Sequence, residues 1–389
     1  MNLIIFLFLL GVATSSIYIL PSGNPQPSDF LLFLTGLVVI FFHWNRLSGI
    51  HLLWPMLVLT IWVGIVSAAW SIAYPFGSFD RYPLFYLFNF VFMLAFVNIY
   101  ISLKTPDVVF SRVIEMALIV SGVGVIISIV APSLLLASES VRITGFFNNP
   151  NQLAYYSLCM MGALIVLNDG ALGRRLSTLL SISSGVIGVF AAASLGAMAG
   201  LVFLLLAIML ANWSSLSRVF NAMFGVLFVL TLFFGFDLYT EGAISDRFDA
   251  RMARLEVKVE SIESERKYDR ILAYPEYWMF GAGEGSTERF QGYERGEIHS
   301  TFGNILFSYG VIGLLLLCVL LFKSLRQAPW YVWLVMAAPL TYSMTHMGLR
   351  FTAFWFLVAL ILVKYRKPRI RAGEAGGFAN NILSSLVGR

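Results

Sequence analysis

Two stretches of the sequence concentrate side chains that could carry out chemistry. Residues 142–156, RITGFFNNPNQLAYY, place an arginine, a proline, a glutamine and three asparagines between two apolar runs. Residues 299–313, HSTFGNILFSYGVIG, place a histidine and a serine directly before another apolar run. Polar groups beside an apolar environment must be solvated, paired or used, because burying them without partners is costly. Both stretches are therefore candidate parts of a functional site.

In the first stretch, the residue types predict the beginning of a helix beside a full positive charge. Asn149 precedes Pro150, and proline favours the first helical position, so we interpret Asn149 as an N-cap with Asn151 in the first turn. The free N–H groups and the positive dipole end of such a helix attract anions, and Arg142 adds a guanidinium. Capping alone would explain the asparagines and the proline, but it would not explain Arg142.

The second stretch predicts a proton acceptor at a helix N-terminus. Ser300 has the residue type of an N-cap, and His299 would lie just before the helix. An imidazole there can take up a proton near neutral pH. Gly310 and Gly313 are small positions that would let another helix approach. His346, in THMGLR, is a secondary candidate for the same site; alternatively, either histidine lies at the membrane interface without a role.

Outside these stretches the chain is strongly apolar. Of its 389 residues 59% are hydrophobic and only 12% are charged, against about 25% charged residues in ordinary soluble domains. Twelve apolar runs lie near residues 2–20, 29–43, 52–71, 83–103, 112–131, 151–167, 177–192, 195–212, 219–238, 301–322, 329–344 and 351–363. Uninterrupted runs predict transmembrane helices rather than a barrel, so we expect an all-α polytopic membrane protein.

The basic residues predict the orientation of these helices, because lysine and arginine stay preferentially on the cytoplasmic side. With the N-terminus inside, the inner loops hold eight basic residues and the short outer loops hold three. The inner set is Arg46, Lys104, Arg112, Arg174, Arg175, Arg218, Lys323 and Arg326, and the outer set is Arg81, Arg142 and Arg350. We therefore expect cytoplasmic N- and C-termini, with both polar stretches on the outer face. The net charge of +5 is spread over many loops, so no nucleic-acid partner is expected.

The sequence divides into four parts. Residues 1–238 hold helices one to nine, 239–300 form a long outer loop, 301–364 hold helices ten to twelve, and 365–389 form a basic tail. Apolar residues in the loop recur at steps of four and three, which predicts an amphipathic helix: Phe248, Met252, Leu255, Val259 and Ile262. Arg266 continues this stripe, so we expect it to have a partner. Glycines 281, 283 and 285 predict tight turns further on.

The outer face therefore collects several arginines against the usual charge distribution: Arg81, Arg142, Arg266, Arg270 and Arg350. Guanidinium groups match phosphate geometry, and a lipid-linked diphosphate is a natural anionic ligand at a bilayer surface. The arginines, with Asn149 and Asn151, would bind the diphosphate, while His299 would deprotonate an acceptor hydroxyl. Alternatively, each arginine pairs with an acid of the outer loops, such as Asp80, Glu263 or Asp269. No spacing of metal-ligating residues occurs on this face, so we expect no metal.

The two stretches resemble motifs of the O-antigen ligase and Wzy-type polymerase superfamily. His299-Ser300, followed after nine residues by Gly310 and then by Gly313, is similar to its H-[NSQ]-x9-G-xx-G signature. RITGFFNNPNQLA looks like its Arg-x-x-Gly…Asn-Pro-Asn segment, and WMFGAGEGS, the late outer loop and the twelve runs extend the resemblance to nearly the whole chain. The chain departs from the family in AASLGAMAG, where Leu195 stands at the position of an arginine in many members.

The resemblance implies a metal-independent, inverting glycosyltransferase of the GT-C type, without a cofactor. Its donor would be an undecaprenyl-diphosphate-linked oligosaccharide at the periplasmic face of the bacterial inner membrane. His299 would be the base, and Arg142 with Arg266 or Arg270 would contact the diphosphate. Expected partners are the membrane, the lipid-linked donor, a glycan acceptor and a chain-length regulator.

Two questions about function stay open from the sequence. A polymerase would use a second lipid-linked repeat unit as acceptor, whereas an O-antigen ligase would use lipid A-core. The loop 239–300 has nine basic and thirteen acidic residues, a poor match for a phosphorylated core, which favours a polymerase of O-antigen, capsule or exopolysaccharide. The alternative from another class is a twelve-span transporter or lipid flippase, but such proteins place ionisable groups near the midplane, and the predicted spans are almost free of charge.

Overall fold

A computed structural model gives the fold of the chain. It describes residues 3–21, 23–42, 49–75, 77–79, 81–131, 142–171, 175–242, 267–292 and 297–366, together with Ser245, Asp246, Asp249 and Ala253. These residues form an all-helical structure, and no β-strand occurs among them. The coarse fold prediction of an all-α protein is confirmed.

The described residues contain twelve helices of eleven or more residues and one short helix. The first nine are α1 (Leu3–Ala13), α2 (Pro27–Phe42), α3 (Gly49–Ala73), α4 (Arg81–Ser102), α5 (Pro106–Val130), α6 (Pro150–Leu167), α7 (Leu176–Ala191), α8 (Leu195–Ala211) and α9 (Leu216–Tyr239). They are followed by the short α10 (Asp269–Ala273), then α11 (Thr301–Leu325), α12 (Trp330–Ser343) and α13 (Thr352–Lys364). Each of the twelve apolar runs thus corresponds to one of the longer helices.

Five helices are long and apolar enough to cross a bilayer by length and composition: α3, α4, α5, α9 and α11. Helix α5 has 25 residues, about 37 Å at the usual rise of 1.5 Å per residue, whereas a hydrocarbon core is about 30 Å thick. These helices indicate a helical membrane-spanning protein. Helix α1 ends at Ala13, earlier than its apolar run, and the hydroxyls of Thr14 and Ser15 then donate to the carbonyls of Leu10 and Val12.

The centre of the bundle consists of helices that are enclosed by other helices. All residues of α6 from Gln152 to Leu167 are buried, as are those of α13 from Ala353 to Val363. The ring of Phe96 on α4 lies 4.8 Å from that of Phe356 on α13 and 4.9 Å from that of Phe110 on α5. By contrast, α9 packs on α7 and α8 and exposes most of its apolar side chains.

Contacts between loops define one end of the bundle, which we call the His299 end. The Tyr18 amide donates to the Phe146 carbonyl, which joins the loop after α1 to the loop before α6. The Ile143 amide donates to the Ala191 carbonyl at the end of α7. Ser78, between α3 and α4, donates its amide to the Ser286 hydroxyl, at 2.6 Å. The loops that follow odd-numbered predicted spans therefore meet at one end.

Other loops meet at the opposite end. Lys364, at the end of α13, lies 2.9 Å from an Asp169 carboxylate oxygen and 3.5 Å from one of Asp107. The Lys323 ammonium, near the end of α11, donates to the His51 carbonyl at 2.9 Å. The helices therefore alternate in direction, as the predicted topology requires.

The loop between α9 and α11 is described from Lys267 to Gly292 and from Glu297 onward. Here α10 and two 3-10 turns, Pro275–Tyr277 and Thr287–Arg289, pack around a small core of Ala282, Phe290, Ile298 and Phe307. The predicted amphipathic helix and Arg266 lie outside the described residues, apart from Asp249 and Ala253. The basic tail is outside them from residue 367 onward.

Candidate functional site

The beginning of α6 carries the first group of predicted site residues. Asn149 has extended backbone, with φ −145° and ψ 135°, and its side chain accepts from the Asn151 amide at 2.8 Å. Pro150 is the first helical residue, so the predicted N-cap is confirmed. Arg142 is half-buried beside this cap: it donates from Nη2 to the Asn151 side-chain oxygen and from Nε to the Ala192 carbonyl, both at 2.8 Å. Arg142 is thus anchored at the helix N-terminus.

The Ala192 carbonyl lies in the short reversal between α7 and α8. Ala193 takes the left-handed conformation, with φ 46°, and Ser194 returns to extended backbone before Leu195 opens α8. Residues 192–194 therefore separate α7 from α8, close to the gap between the predicted runs 177–192 and 195–212. The guanidinium of Arg142 contacts this reversal, three residues before Leu195.

The beginning of α11 carries the second group. Ser300 is the N-cap, and its side-chain oxygen accepts from the Gly303 amide at 3.2 Å, as predicted. The next residue, Thr301, donates its amide to the His346 carbonyl at 3.1 Å and its hydroxyl to the same carbonyl at 3.0 Å. His299 precedes the cap and is exposed. Its imidazole therefore lies at the surface of the His299 end.

One continuous chain of contacts connects the two groups. The Tyr342 hydroxyl, at the end of α12, donates to the Asn151 carbonyl at 2.9 Å. The Tyr342 ring is stacked on the His346 imidazole, with centroids 4.3 Å apart and an interplanar angle of 18°. Since the His346 carbonyl accepts from Thr301, contacts lead from Arg142 through Asn151, Tyr342 and His346 to the helix that follows His299. The structure thus brings the two polar stretches together.

Helix α11 is interrupted at Gly310, which has φ 70° and ψ −175°. The loop backbone from Trp278 to Gly283 fills the interruption: Ala282 and Gly283 donate to the carbonyls of Phe307 and Ser308, and Val311 donates to the Trp278 carbonyl. A Cβ at Gly310 would overlap the Met279 carbonyl oxygen. The prediction that Gly310 admits another helix is wrong, because the glycine admits loop backbone and a dihedral pair that other residues rarely adopt.

Arg350, in the segment between α12 and α13, forms two ion pairs. It contacts the buried carboxylate of Glu284, and its Nη1 lies 2.9 Å from a Glu297 carboxylate oxygen. Burial opposes the charge of Arg350, but the two carboxylates outweigh burial and raise the pKa of its guanidinium. The alternative that arginines pair with loop acids therefore holds for Arg350, although with other acids than those the sequence singled out. Of those, Asp80 and Glu263 lie outside the described residues.

The remaining predicted arginines have different environments. Arg81 is exposed at the beginning of α4; it donates to the Tyr82 hydroxyl at 2.8 Å. Arg270, on α10, is 2% exposed and lies over the rings of Phe290 and Phe307, at 5.6 and 5.9 Å from their centroids. Arg270 is thus part of the loop core, where a diphosphate could reach it only if the aromatic rings moved.

Arg289 is an arginine of the His299 end that the sequence patterns did not single out. Its guanidinium lies over Trp70, Phe290 and Phe79, at 4.4, 4.6 and 4.9 Å from their ring centroids, and donates to the carbonyls of Ala282 and Gly283. Burial lowers its pKa to about 10. The position of Arg289 in the sequence gave no sign of this aromatic cage, because two of its three rings come from α3 and the α3–α4 loop.

The site therefore offers an anchored arginine at one helix N-terminus and an exposed imidazole beside another. Such a pair can bind an anion and accept a proton. Among the residues that the structure describes, no group of three His, Cys, Asp or Glu side chains is placed to hold a metal ion. No model of a known protein family matches the chain, and no curated protein matches its sequence.

Proposed function

We propose that the chain is an integral membrane glycosyltransferase that uses an undecaprenyl-diphosphate-linked oligosaccharide as donor. The observation that carries this proposal is the chain of contacts between the α6 N-terminus, with Arg142, and the α11 N-terminus, with His299. Transfer from a diphosphate needs stabilisation of the leaving anion and removal of a proton from the acceptor. The two helix beginnings offer these two groups at the same end of the bundle.

The reaction would be a single displacement. The acceptor hydroxyl oxygen attacks the anomeric carbon, while the bond between that carbon and the diphosphate oxygen breaks. The hydroxyl proton passes to the His299 imidazole, and the lipid diphosphate leaves with the bonding electron pair. Arg142 and the N–H groups at the start of α6 would stabilise its charge. Attack opposite to the leaving group inverts the anomeric configuration, in keeping with the GT-C architecture that the family resemblance implies.

The topology belongs to the proposal. Twelve crossings, with both termini in the cytoplasm, would place the His299 end at the periplasmic face of a bacterial inner membrane. The alternation of the helices supports this arrangement, because it collects Lys104, Arg112, Arg175, Lys323 and Arg326 at the opposite end. Basic residues in short loops favour the cytoplasmic side.

For the acceptor we favour another lipid-linked repeat unit, which makes the protein a polymerase of an exported polysaccharide. The loop 239–300 has more acidic than basic residues, which makes it a poor match for a phosphorylated core acceptor. An assay that offers one defined donor with each of two acceptors distinguishes a polymerase from an O-antigen ligase. Glycan growth on the lipid-linked repeat indicates a polymerase, whereas glycan attached to lipid A-core indicates a ligase.

A transporter is the second candidate, because discontinuous helices often line transport sites and α11 is interrupted. In this chain, however, the backbone carbonyls freed by the interruption already accept hydrogen bonds from within the protein. The carbonyls of Phe307 and Ser308 accept from loop amides, and the Tyr309 carbonyl accepts from the Trp62 indole at 2.8 Å. Ions or solutes would therefore have to displace the loop, which favours the transferase.

Replacing the base tests the proposed function directly. In proteoliposomes with lipid-linked repeat units we expect wild-type protein to lengthen the glycan, and His299→Ala to abolish lengthening. Since His299 is exposed, the variant should insert and unfold like the wild type. His51→Ala, an exposed histidine at the opposite end, is the matched control. Full activity of His299→Ala would remove the base assignment, and lipid movement without longer glycans would favour the transporter.

A further inference from the structure

The segment that carries His299 is held on both sides by the segment between α12 and α13. Glu297, two residues before His299, forms the 2.9 Å ion pair with Arg350. Thr301, two residues after it, donates to the His346 carbonyl, and its hydroxyl accepts from the Gly348 amide at 2.8 Å. Two short anchors at equal sequence distance leave the chain between them little freedom.

Two carboxylates balance the charge of Arg350 within the protein. Its single guanidinium faces the carboxylates of Glu284 and Glu297, and Glu284 is only 4% exposed. A diphosphate bound by Arg350 would approach both carboxylates or displace one of them. Without its cation, Glu284 would be a buried charge with no partner of opposite charge, which is strongly unfavourable. Arg350 is therefore poorly suited to bind the donor, although the sequence placed it among the donor ligands.

Arg350 also joins three parts of the site. Glu284 belongs to the glycine-rich segment 281–285 and accepts from the Tyr309 hydroxyl at 3.0 Å, directly before the interruption of α11. The Arg350 guanidinium lies 5.2 Å from the centroid of the Tyr82 ring, near the beginning of α4. Its planar fork reaches both carboxylates at once, which a point charge cannot do.

We propose that Arg350 is a positioning residue that acts through Glu297 to fix the His299 segment against the glycine-rich loop. This role rests on the proposed glycosyl transfer. It predicts a defect in the chemical step rather than in donor binding, because a base displaced by about 1 Å can cost about 100-fold in rate. A donor ligand would instead raise the KM for the donor.

The test compares Glu297→Gln, Arg350→Gln and the double variant in the glycan-lengthening assay. Glu297→Gln is the milder change, because the pair between Arg350 and Glu284 remains. We expect kcat to fall about 10- to 100-fold in each single variant, with the donor KM unchanged. The kcat of the double variant should be no lower than that of the more impaired single variant. Arg350→Lys should recover part of kcat. Glu276→Gln, an exposed glutamate of the same loop, is the matched control.

A second measurement does not depend on transfer. Modification of histidines by diethyl pyrocarbonate, followed by mass spectrometry, reports how the His299 segment is held. We expect faster modification of His299 in Glu297→Gln and Arg350→Gln, with His51 unchanged. If wild-type protein transfers no glycan but His299 modification changes as expected, the glycosyltransferase proposal fails and the positioning role stands. A raised donor KM, or unchanged His299 modification together with unchanged kcat, would overturn the positioning role.

Discussion

Arg142 and Arg350 show how neighbouring groups decide what an arginine can do. Arg142 donates to two neutral acceptors, the Ala192 carbonyl and the Asn151 side chain. Arg350 faces two carboxylates, which hold its charge inside the protein. Arg270 and Arg289 lie over aromatic rings, where cation–π contacts stabilise the loop. Of these four, Arg142 is the one beside the N-terminus of a long helix, where an external anion is stabilised.

A conservative change at Arg142 tests this assignment. Lysine keeps the charge, but its single ammonium cannot reach the Ala192 carbonyl and the Asn151 side chain while also meeting a phosphate. A hydrogen bond to a charged group contributes about 1.5–3 kcal/mol. We therefore expect Arg142→Lys to lower kcat/KM for the donor by about 10-fold or more, in steady-state assays with varied lipid-linked donor.

Arg326→Lys provides the control for this substitution, because Arg326 is exposed at the opposite end. It should leave donor kinetics unchanged. If Arg142→Lys behaved in the same way, Arg142 would be a structural residue that joins α6 to the reversal between α7 and α8.

At the level of elements, α11 depends on a partner that is distant in sequence. The helix can break at Gly310 because loop residues 278–283 satisfy the groups that the break releases. The loop is held in turn by the Trp70 indole, which donates to the Gly281 carbonyl at 3.1 Å. The interruption and the loop conformation therefore stabilise each other, and both support the first turns of α11 beside His299.

Replacing Gly310 by alanine should disrupt this arrangement. Its dihedral pair is essentially restricted to glycine, and such strain costs about 1–3 kcal/mol. The added Cβ would also overlap the Met279 carbonyl. We expect Gly310→Ala to lower the midpoint of thermal unfolding in detergent and to reduce glycan transfer.

Gly235→Ala on α9 is the matched control, because its added Cβ would meet no other part of the protein within 4 Å beyond its own stretch of helix, and alanine favours a helix. It should be neutral or slightly stabilising. Equal unfolding midpoints for the two variants would show that the interruption tolerates a side chain.

At the level of the whole molecule, the alternation of helices separates two polar ends. The His299 end gathers the candidate site, whereas Lys364 at the opposite end joins the first turn of α5 to the loop after α6 through Asp107 and Asp169. Between the ends, helices α6 and α13 are enclosed by other helices and buried along almost their whole length. This separation is what allows a membrane-facing bundle to present its charged groups at two surfaces.

Cysteine labelling tests which surface is outside. In a background with Cys159→Ala and Cys318→Ser, Gln291→Cys would mark the His299 end and Ala171→Cys the opposite end; both positions are exposed. We expect a membrane-impermeant maleimide to label Gln291→Cys in cells with a permeabilised outer membrane, and Ala171→Cys only after the inner membrane is opened. The reverse pattern would invert the topology, and labelling of both from outside would contradict the alternation.

Much of the fold could be predicted from the sequence because it follows from local properties. Apolar runs located all twelve longer helices, and Asn149 and Ser300 were recognised as caps since capping depends on residues one to three positions away. Helices α6 and α13 show the limit of hydropathy. A helix enclosed by protein and one facing lipid are both apolar, so the sequence alone could not separate the core from the lipid-facing surface.

The sequence by itself determined the helices, their caps, and the gathering of arginines and histidines in a few loops. Only the tertiary structure decided which of these residues meet. The pair between Arg350 and Glu284 joins positions 66 residues apart, and the contact of Arg142 with Ala192 spans 50 residues. Such pairs depend on how helices pack, and residue type and spacing do not encode that packing locally. The role of Gly310 was likewise decided by the loop that packs against it.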